Sequence, residues 1–154
     1  MPQSLARLDV HLIFSTKHRR PLIGDDVRDS LHAYMATVLR NAGCLVEIVN
    51  SVEDHVHVLF ALGRTVSLAS AVEEVKKTSS RWMKTHGQSR GEGLADFAWQ
   101  AGYGAFAVSA SKRGQVRTYI AGQREHHREV TFQEEYRAFL ERHGLAFDER
   151  YVWD

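Results

Sequence analysis

Apolar positions alternate at the start of the chain and then change period. Leu8, Val10, Leu12 and Phe14 fall on one side of an extended segment, with Asp9, His11 and Ile13 on the other. That two-residue period predicts a strand with one well-buried face. After a basic turn containing Pro21 and Gly24 the period lengthens. Val27, Leu31, Met35, Val38 and Leu39 share one helical face, with Asp25 or Asp26 placed to cap its start and Gly43 to end it. "CLVEIVNSV" (Cys44 to Val52) predicts a second strand. The turn-prone stretch Asn50 to Asp54 leads into a third, "HVHVLFAL", which Gly63 closes. A second helix is predicted from about Ser67 to His86, with Ser70 and Glu73 spaced as a capping box and Leu68, Val72, Val75, Trp82 and Met83 as its apolar face.

"GQSRGEGLADF" (Gly87 to Phe97) reads as a Gly-rich loop. "AWQAGYGAFAVS" (Ala98 to Ser109) predicts a fourth strand, where Gly102 and Gly104 on one face invite close approach by a packed helix or a ligand. A third helix is expected over about 115–128, with Gly122 a weak helix former inside it. Another runs from Thr131 to His143, with Thr131 and Glu134 spaced as a capping box and Phe132, Tyr136, Phe139 and Leu140 apolar. An aromatic tail completes the segment 131–154.

The order β-α-β-β-α-β places the chain in the α+β class, as a ferredoxin- or RRM-like antiparallel sheet. The first and third strands should be central neighbours. Two helices should cover one face and leave the other open, with C-terminal helices added. The 154 residues suit one domain, 1–154, with a full core.

Net charge is only +1, so the molecule as a whole is not a polycation. The charge is uneven, however: "TKHRRP" (Thr16 to Pro21) and "KKTSSRWMK" (Lys76 to Lys84) are basic clusters that serve either as solvated faces or as phosphate contacts. No apolar run approaches a membrane span and no secretory leader is evident, so no membrane partner is expected. Cys44 is the only cysteine; it is expected to be a buried thiol, and a cytoplasmic location fits it.

His55 and His57 change the picture most. Alternation puts them on one side of the third strand and Val56, Val58 and Phe60 on the other, with His11 sharing the histidine face. Same-face residues two apart lie roughly 6–7 Å from one another, and two imidazoles at that spacing can converge on one ion. A pair of surface histidines on an exposed sheet face is the plainer reading of this strand alone. In "VRTYIAGQREHHR", Tyr119, Gln123, His126 and His127 fall at i, i+4, i+7 and i+8, a polar stripe on one helical face, while Val116 and Ile120 do the packing. The stripe and the histidine-bearing face together suggest one shared site.

The His-hydrophobe-His strand followed by a helix with Tyr and Gln four apart resembles the HUH-type single-tyrosine transposases of the insertion-sequence-200/605 kind. "HLIFSTKHRRPL", "VEDHVHVLFAL", "WQAGYGAFAVS", "VRTYIAGQREHH" and "DERYVWD" carry the resemblance, which spans essentially the whole chain. It implies a divalent ion, Mg²⁺ or Mn²⁺, on His55, His57 and Gln123, with Tyr119 as the catalytic nucleophile. It implies single-stranded DNA with terminal hairpins as substrate, a 5′-phosphotyrosine intermediate, and a homodimer whose tyrosine helix can serve the partner's site. Histidine ligation favours Mn²⁺ on softness grounds.

Lys17, Arg19, Arg20, Lys76, Lys77 and Arg81 are the DNA-contact candidates. His11, His126 and His127 surround the expected site; the last two are read as solvated, with proton transfer to the phenol as the alternative. Trp99 and Tyr103 are expected in packing, with base stacking as the alternative. Gly114 is a loop glycine or a hinge. The rival functions are an HUH nickase of replication or conjugation, a non-catalytic RRM-like nucleic-acid-binding module, and a small zinc hydrolase using His11, His55 and His57.

Overall fold

The computed structural model describes residues 2–86 and 94–154. Four strands form one antiparallel sheet: β1 (Asp9–Ser15), β2 (Leu45–Ser51), β3 (His55–Ala61) and β4 (Gly104–Val108). Their order is β2-β3-β1-β4, so the first and third strands are central neighbours, as expected. Two long helices follow β1 and β3: α1 (Asp25–Asn41) and α2 (Leu68–His86). Three shorter ones follow β4: α3 (Arg113–Ala121), α4 (Gln123–His126) and α5 (Phe132–Arg142). Residues 87–93 of the expected Gly-rich loop lie outside the described residues. No described helix is long and apolar enough to cross a membrane.

One sheet face follows the alternation directly. Val10, Leu12 and Phe14 of β1 and Val56, Val58 and Phe60 of β3 pack against Leu31, Met35 and Leu39 of α1 and Val72, Val75 and Met83 of α2. Cys44 is buried in the same cluster. The other face is not open. Ile13 and Phe106 pack against Phe132, Tyr136, Phe139 and Leu140 of α5, and His11, His55 and His57 are fully buried beneath the C-terminal helices. Alternation assigns residues to faces and carries no information on what later covers a face; hence the difference.

Several local details differ from the sequence reading. The α1 N-cap is Gly24, without a side-chain hydrogen bond; Asp25 and Asp26 sit in the first turn instead, where negative charge favours the helix N-terminus. At the start of α2 the capping oxygen belongs to Ser67, which accepts from the Ser70 N–H at 3.0 Å. Strand β4 is limited to Gly104–Val108, with only a Thr16–Trp99 bridge upstream. The expected third helix is interrupted at Gly122, giving α3 and α4. Leu8 lies outside β1 and is exposed.

One half of the capping box expected for α5 forms: Thr131 Oγ1 accepts from the Glu134 N–H at 3.2 Å. The close approach inferred at Gly104 is to this helix. A Cβ at Gly104 would lie 2.5 Å from Cε2 of Tyr136 and 3.0 Å from its hydroxyl. Gly104→Ala should therefore displace the ring and cost about 1–3 kcal/mol, seen as a fall in thermal midpoint; an unchanged midpoint would show that α5 can give way freely.

A second expectation concerns acid. His32 of α1 places Nε2 2.7 Å from Ser51 Oγ, and burial lowers its pKa to about 4. The unfolded chain takes up this proton near pH 6.5, whereas the folded chain resists until about 4, so between those values the unfolded state binds more protons. The contribution is intact above about pH 6.5 and is lost as pH falls through that window. His32→Gln should give a shallower decline in thermal midpoint between neutral and acid pH than the wild type; superimposable declines would sink the assignment.

Candidate tyrosine and metal site

The site lies between the buried histidine face and the three C-terminal helices. Helix α3 is pinned to the sheet at both ends. At its start, Arg113 Nε donates to the buried Asp9 carboxylate at 3.1 Å. At its end, Asn50 Nδ2 of β2 donates to the Ile120 carbonyl at 2.7 Å, and the Ile120 side chain is fully buried. Asn50 stands opposite His57 in the sheet register, so this bond brings the last turn of α3 over the histidines. Tyr119, half-buried, has its ring centroid 5.9 Å from that of His57 and 6.3 Å from that of His11.

The helix is interrupted at Gly122, and α4 begins at the next residue. Gln123 is fully buried, and its Oε1 lies 2.8 Å from Nε2 of His127. His127 also has Nδ1 2.5 Å from the Val130 carbonyl, and its Nε2 lies 2.9 Å from Nε2 of His55. His127 is therefore part of the site, not a solvated neighbour. His126 is half-exposed, with Nε2 3.2 Å from the Tyr119 hydroxyl.

One residue that the pattern reading left out occupies the centre. Glu135 of α5 is buried with 2% side-chain exposure. Its Oε1 lies 2.9 Å from His57 Nε2, 3.2 Å from His127 Nε2 and 3.4 Å from His55 Nε2. Its Oε2 accepts the hydrogen bond of the Tyr119 hydroxyl and lies 3.3 Å from His126 Nε2. A signal was present in the chain. Phe132, Glu135, Tyr136, Phe139 and Leu140 fall at i, i+3, i+4, i+7 and i+8, which puts a carboxylate in the middle of an apolar stripe.

Each strand histidine is oriented from behind. His55 Nδ1 is 2.7 Å from Asp54 Oδ1, and His57 Nδ1 is 2.8 Å from Nε2 of His11. These contacts at Nδ1 turn each Nε2 towards the common point, the arrangement that outer partners impose on ligating imidazoles. His11 thus supports His57 and does not itself face the cluster. The ligand atoms of His55, His57, His127 and Glu135 all lie within 4.8 Å of one another.

Burial lowers the pKa of His57 to about 4, although Glu135 opposes it. His11 is lowered well below its ordinary value by burial and then by His57. For His55, burial works against the charge, but hydrogen bonds to Asp54 and Glu135 outweigh it and raise the pKa. Burial alone would raise Glu135; the bonds from His127, His55 and His57 hold it well below the usual carboxylate range. Burial, then the charge of Glu135, pushes the Tyr119 phenol above its ordinary value. Glu135 is thus held as the carboxylate, with the Tyr119 phenol donating to it, while burial disfavours charge on His57 and His11 and hydrogen bonds favour it on His55.

The basic candidates divide. Lys17 and Arg20 are exposed, and Arg19 is half-buried with its guanidinium 5.8 Å from the Trp153 ring centroid. This turn leaves the sheet at the His55 end, because Ser15 pairs with His55 and the Thr16 N–H donates to the Asp54 carbonyl at 2.8 Å. Lys77 and Arg81 are exposed on α2, across the sheet from Tyr119. Lys76 donates to the carbonyls of Gln100, Ala101 and Gly102 at 2.7, 3.0 and 2.7 Å, and burial lowers its pKa to about 8. Trp99 is core, donating from Nε1 to Ser79 Oγ at 2.9 Å, and Tyr103 lies at the surface near Lys76. Gly114 falls in the first turn of α3.

Comparison with known proteins completes the description. The fold is similar to a solved structure described as a transposase of Deinococcus radiodurans R1, with a TM-score of 0.63, 24% identity, and coverage of 80% of this chain and 95% of that one. It is also similar to a REP-associated tyrosine transposase solved with a REP hairpin, with a TM-score of 0.60, 16% identity, and coverage of 84% and 74%. In sequence, the ISDra2 transposase TnpA of Deinococcus radiodurans is 26% identical over 120 residues, 77% of this chain and 86% of the relative. The family model described as "Transposase IS200 like" matches residues 4–123. That span includes His55, His57, Tyr119 and Gln123 and ends before His126, His127 and Glu135. The chain therefore belongs to the IS200-like transposase family.

Proposed function

We propose that the chain nicks and rejoins single-stranded DNA through a covalent tyrosine intermediate, with Tyr119 as the nucleophile. The observation that carries this reading is the convergence of the Tyr119 hydroxyl and the Nε2 atoms of His55 and His57 on one buried carboxylate. Family membership and the likeness to a tyrosine transposase solved with a REP hairpin support it. In the proposed step the Tyr119 oxygen forms a bond to the scissile phosphorus as the bond to the 3′ oxygen breaks. The phenol loses its proton and the leaving oxygen gains one, giving a 5′-phosphotyrosine and a free 3′-hydroxyl. The ester retains the bond energy for rejoining to a second end, which favours transfer over hydrolysis.

A divalent ion belongs to this reading. The donor set suits one: imidazoles aimed by Asp54 and His11, the Gln123 amide oxygen beside them, and a nearby carboxylate. His55 and His57 would hold the ion, with Gln123 as the third protein ligand implied by the family resemblance. When bound, it withdraws charge from the phosphoryl oxygens and holds them for in-line attack. Mn²⁺ is favoured over Mg²⁺ by the imidazoles. Lys17, Arg19 and Arg20, at the His55 end of the sheet, are the best placed of the basic residues to meet a DNA backbone; Lys77 and Arg81 would contact it on the α2 side. A non-catalytic module reading bases on an open sheet face is disfavoured, because this face is covered.

The site is read as built within one chain, since α3 is tied by Asp9 and Asn50 to its own sheet. A homodimer would then carry two complete sites without exchanging tyrosine helices.

Two measurements test these points. Incubation with a labelled hairpin-bearing oligonucleotide and Mn²⁺ should give a protein–DNA adduct on a denaturing gel, absent in Tyr119→Phe and after chelation. Cleavage that persists in Tyr119→Phe without an adduct would overturn the mechanism. Mixing a His55→Ala chain with a Tyr119→Phe chain should restore no activity if the site is built in cis; recovery would assign the tyrosine helix to a partner.

A further inference from the structure

We infer that Glu135 is the anionic ligand of the ion held by His55 and His57, and that the same carboxylate tethers the Tyr119 hydroxyl, so that loading the ion, docking α5 and placing the nucleophile are one event. This rests on the proposed metal site and extends it to a helix beyond the segment that matches the family model.

Four distances inside the cluster fit ligands around a single ion. Bonds of about 2.0–2.2 Å to nitrogen and carboxylate oxygen set neighbouring ligand atoms roughly 3.0–3.5 Å apart in octahedral or tetrahedral geometry. His55 Nε2 to His127 Nε2 is 2.9 Å, His57 Nε2 to Glu135 Oε1 is 2.9 Å, His127 Nε2 to Glu135 Oε1 is 3.2 Å, and His55 Nε2 to Glu135 Oε1 is 3.4 Å. Two imidazole nitrogens 2.9 Å apart cannot both present lone pairs unless a proton or a cation lies between them.

Burial supplies the second argument. Glu135 sits in the stripe Phe132, Tyr136, Phe139 and Leu140 with almost no access to water. An ionised carboxylate is stable there only if a positive charge or several donors compensate it. The groups against it are His55, His57, His126, His127 and Tyr119. Imidazoles that ligate an ion must be neutral, so in the loaded state the ion provides the compensating charge.

The two oxygens then divide the work. Oε1 faces the three Nε2 atoms, and Oε2 faces the phenol and His126. Glu135 is thus a ligand through one oxygen and a positioning group for Tyr119 through the other. Since this carboxylate adds a polar contact to the apolar packing of α5 on Ile13 and Phe106, the ion should hold the helix down more tightly.

The test uses the full chain, MnCl₂ alone, and no DNA. Mn²⁺ binding is followed by calorimetry or by loss of the free-ion electron paramagnetic resonance signal, and backbone amide exchange is read across α5 and β3. Wild type should bind Mn²⁺ and show slowed exchange in Phe132–Arg142 on loading. Glu135→Gln, which keeps the size of the side chain, should weaken Mn²⁺ binding at least tenfold and abolish that slowing while its circular dichroism stays native. If Glu135→Gln binds Mn²⁺ as wild type does while His57→Ala does not, the proposed metal site stands and this inference falls. If wild type binds no Mn²⁺, both fall. Should the Gln variant misfold, wild type alone decides: protection that appears in β3 but not in α5 overturns the inference.

Discussion

A carboxylate with almost no contact with water, set among imidazoles and a phenol, is the interaction on which the C-terminal half of the molecule depends. Glu135 can be buried only if the histidine face of the sheet meets it, and that face can be buried only if α5 brings an acceptor. The two halves of the chain are therefore matched by charge and hydrogen bonding as well as by shape. The apolar neighbours of Glu135 on α5 provide adhesion: Phe132, Tyr136, Phe139 and Leu140 pack on Ile13 and Phe106. Gly104 makes room for Tyr136 to come close.

Around this contact, each remaining element has a positional task. β3 presents two imidazoles on one side because side chains alternate. Asp54 and His11 turn those imidazoles so that both Nε2 atoms look at one point. Asp9 and Asn50 hold α3 at its two ends, which sets Tyr119 beside His57. Beyond the break at Gly122, Gln123 is buried and His127 lies in the cluster. The basic turn leaves the sheet at the His55 end, so positive charge lies at the margin of the site and not within it. The imidazoles and the carboxylate thus lie beneath the C-terminal helices, while Lys17 and Arg20 of the turn stand exposed beside them.

Much of this was legible in the chain itself. The alternation in β1 and β3 separates Val56, Val58 and Phe60 from His55 and His57 and puts His11 on the histidine face, where the register makes it a diagonal neighbour of His57. The i, i+4 relation of Tyr119 and Gln123 marks them as partners of that face. The Thr131 N-cap marks where α5 begins. Glu135 was legible too, as a charge in an apolar stripe, but only if its position is weighed with those of Phe132 and Leu140; alone it reads as one more surface acid on a charged helix.

Periodicity, caps and turn residues are local, and they determined by themselves which elements form, in what order, and which side chains share a face. Only the tertiary structure decided what lies over each face. It buried the histidines that alternation alone would leave in solvent, moved His127 from the surface into the cluster, and committed Lys76 to three backbone carbonyls. The physical reason is that docking depends on complementarity between surfaces distant in sequence. His57 and Glu135, 78 residues apart, meet because burying either one without the other would leave a polar group unsatisfied.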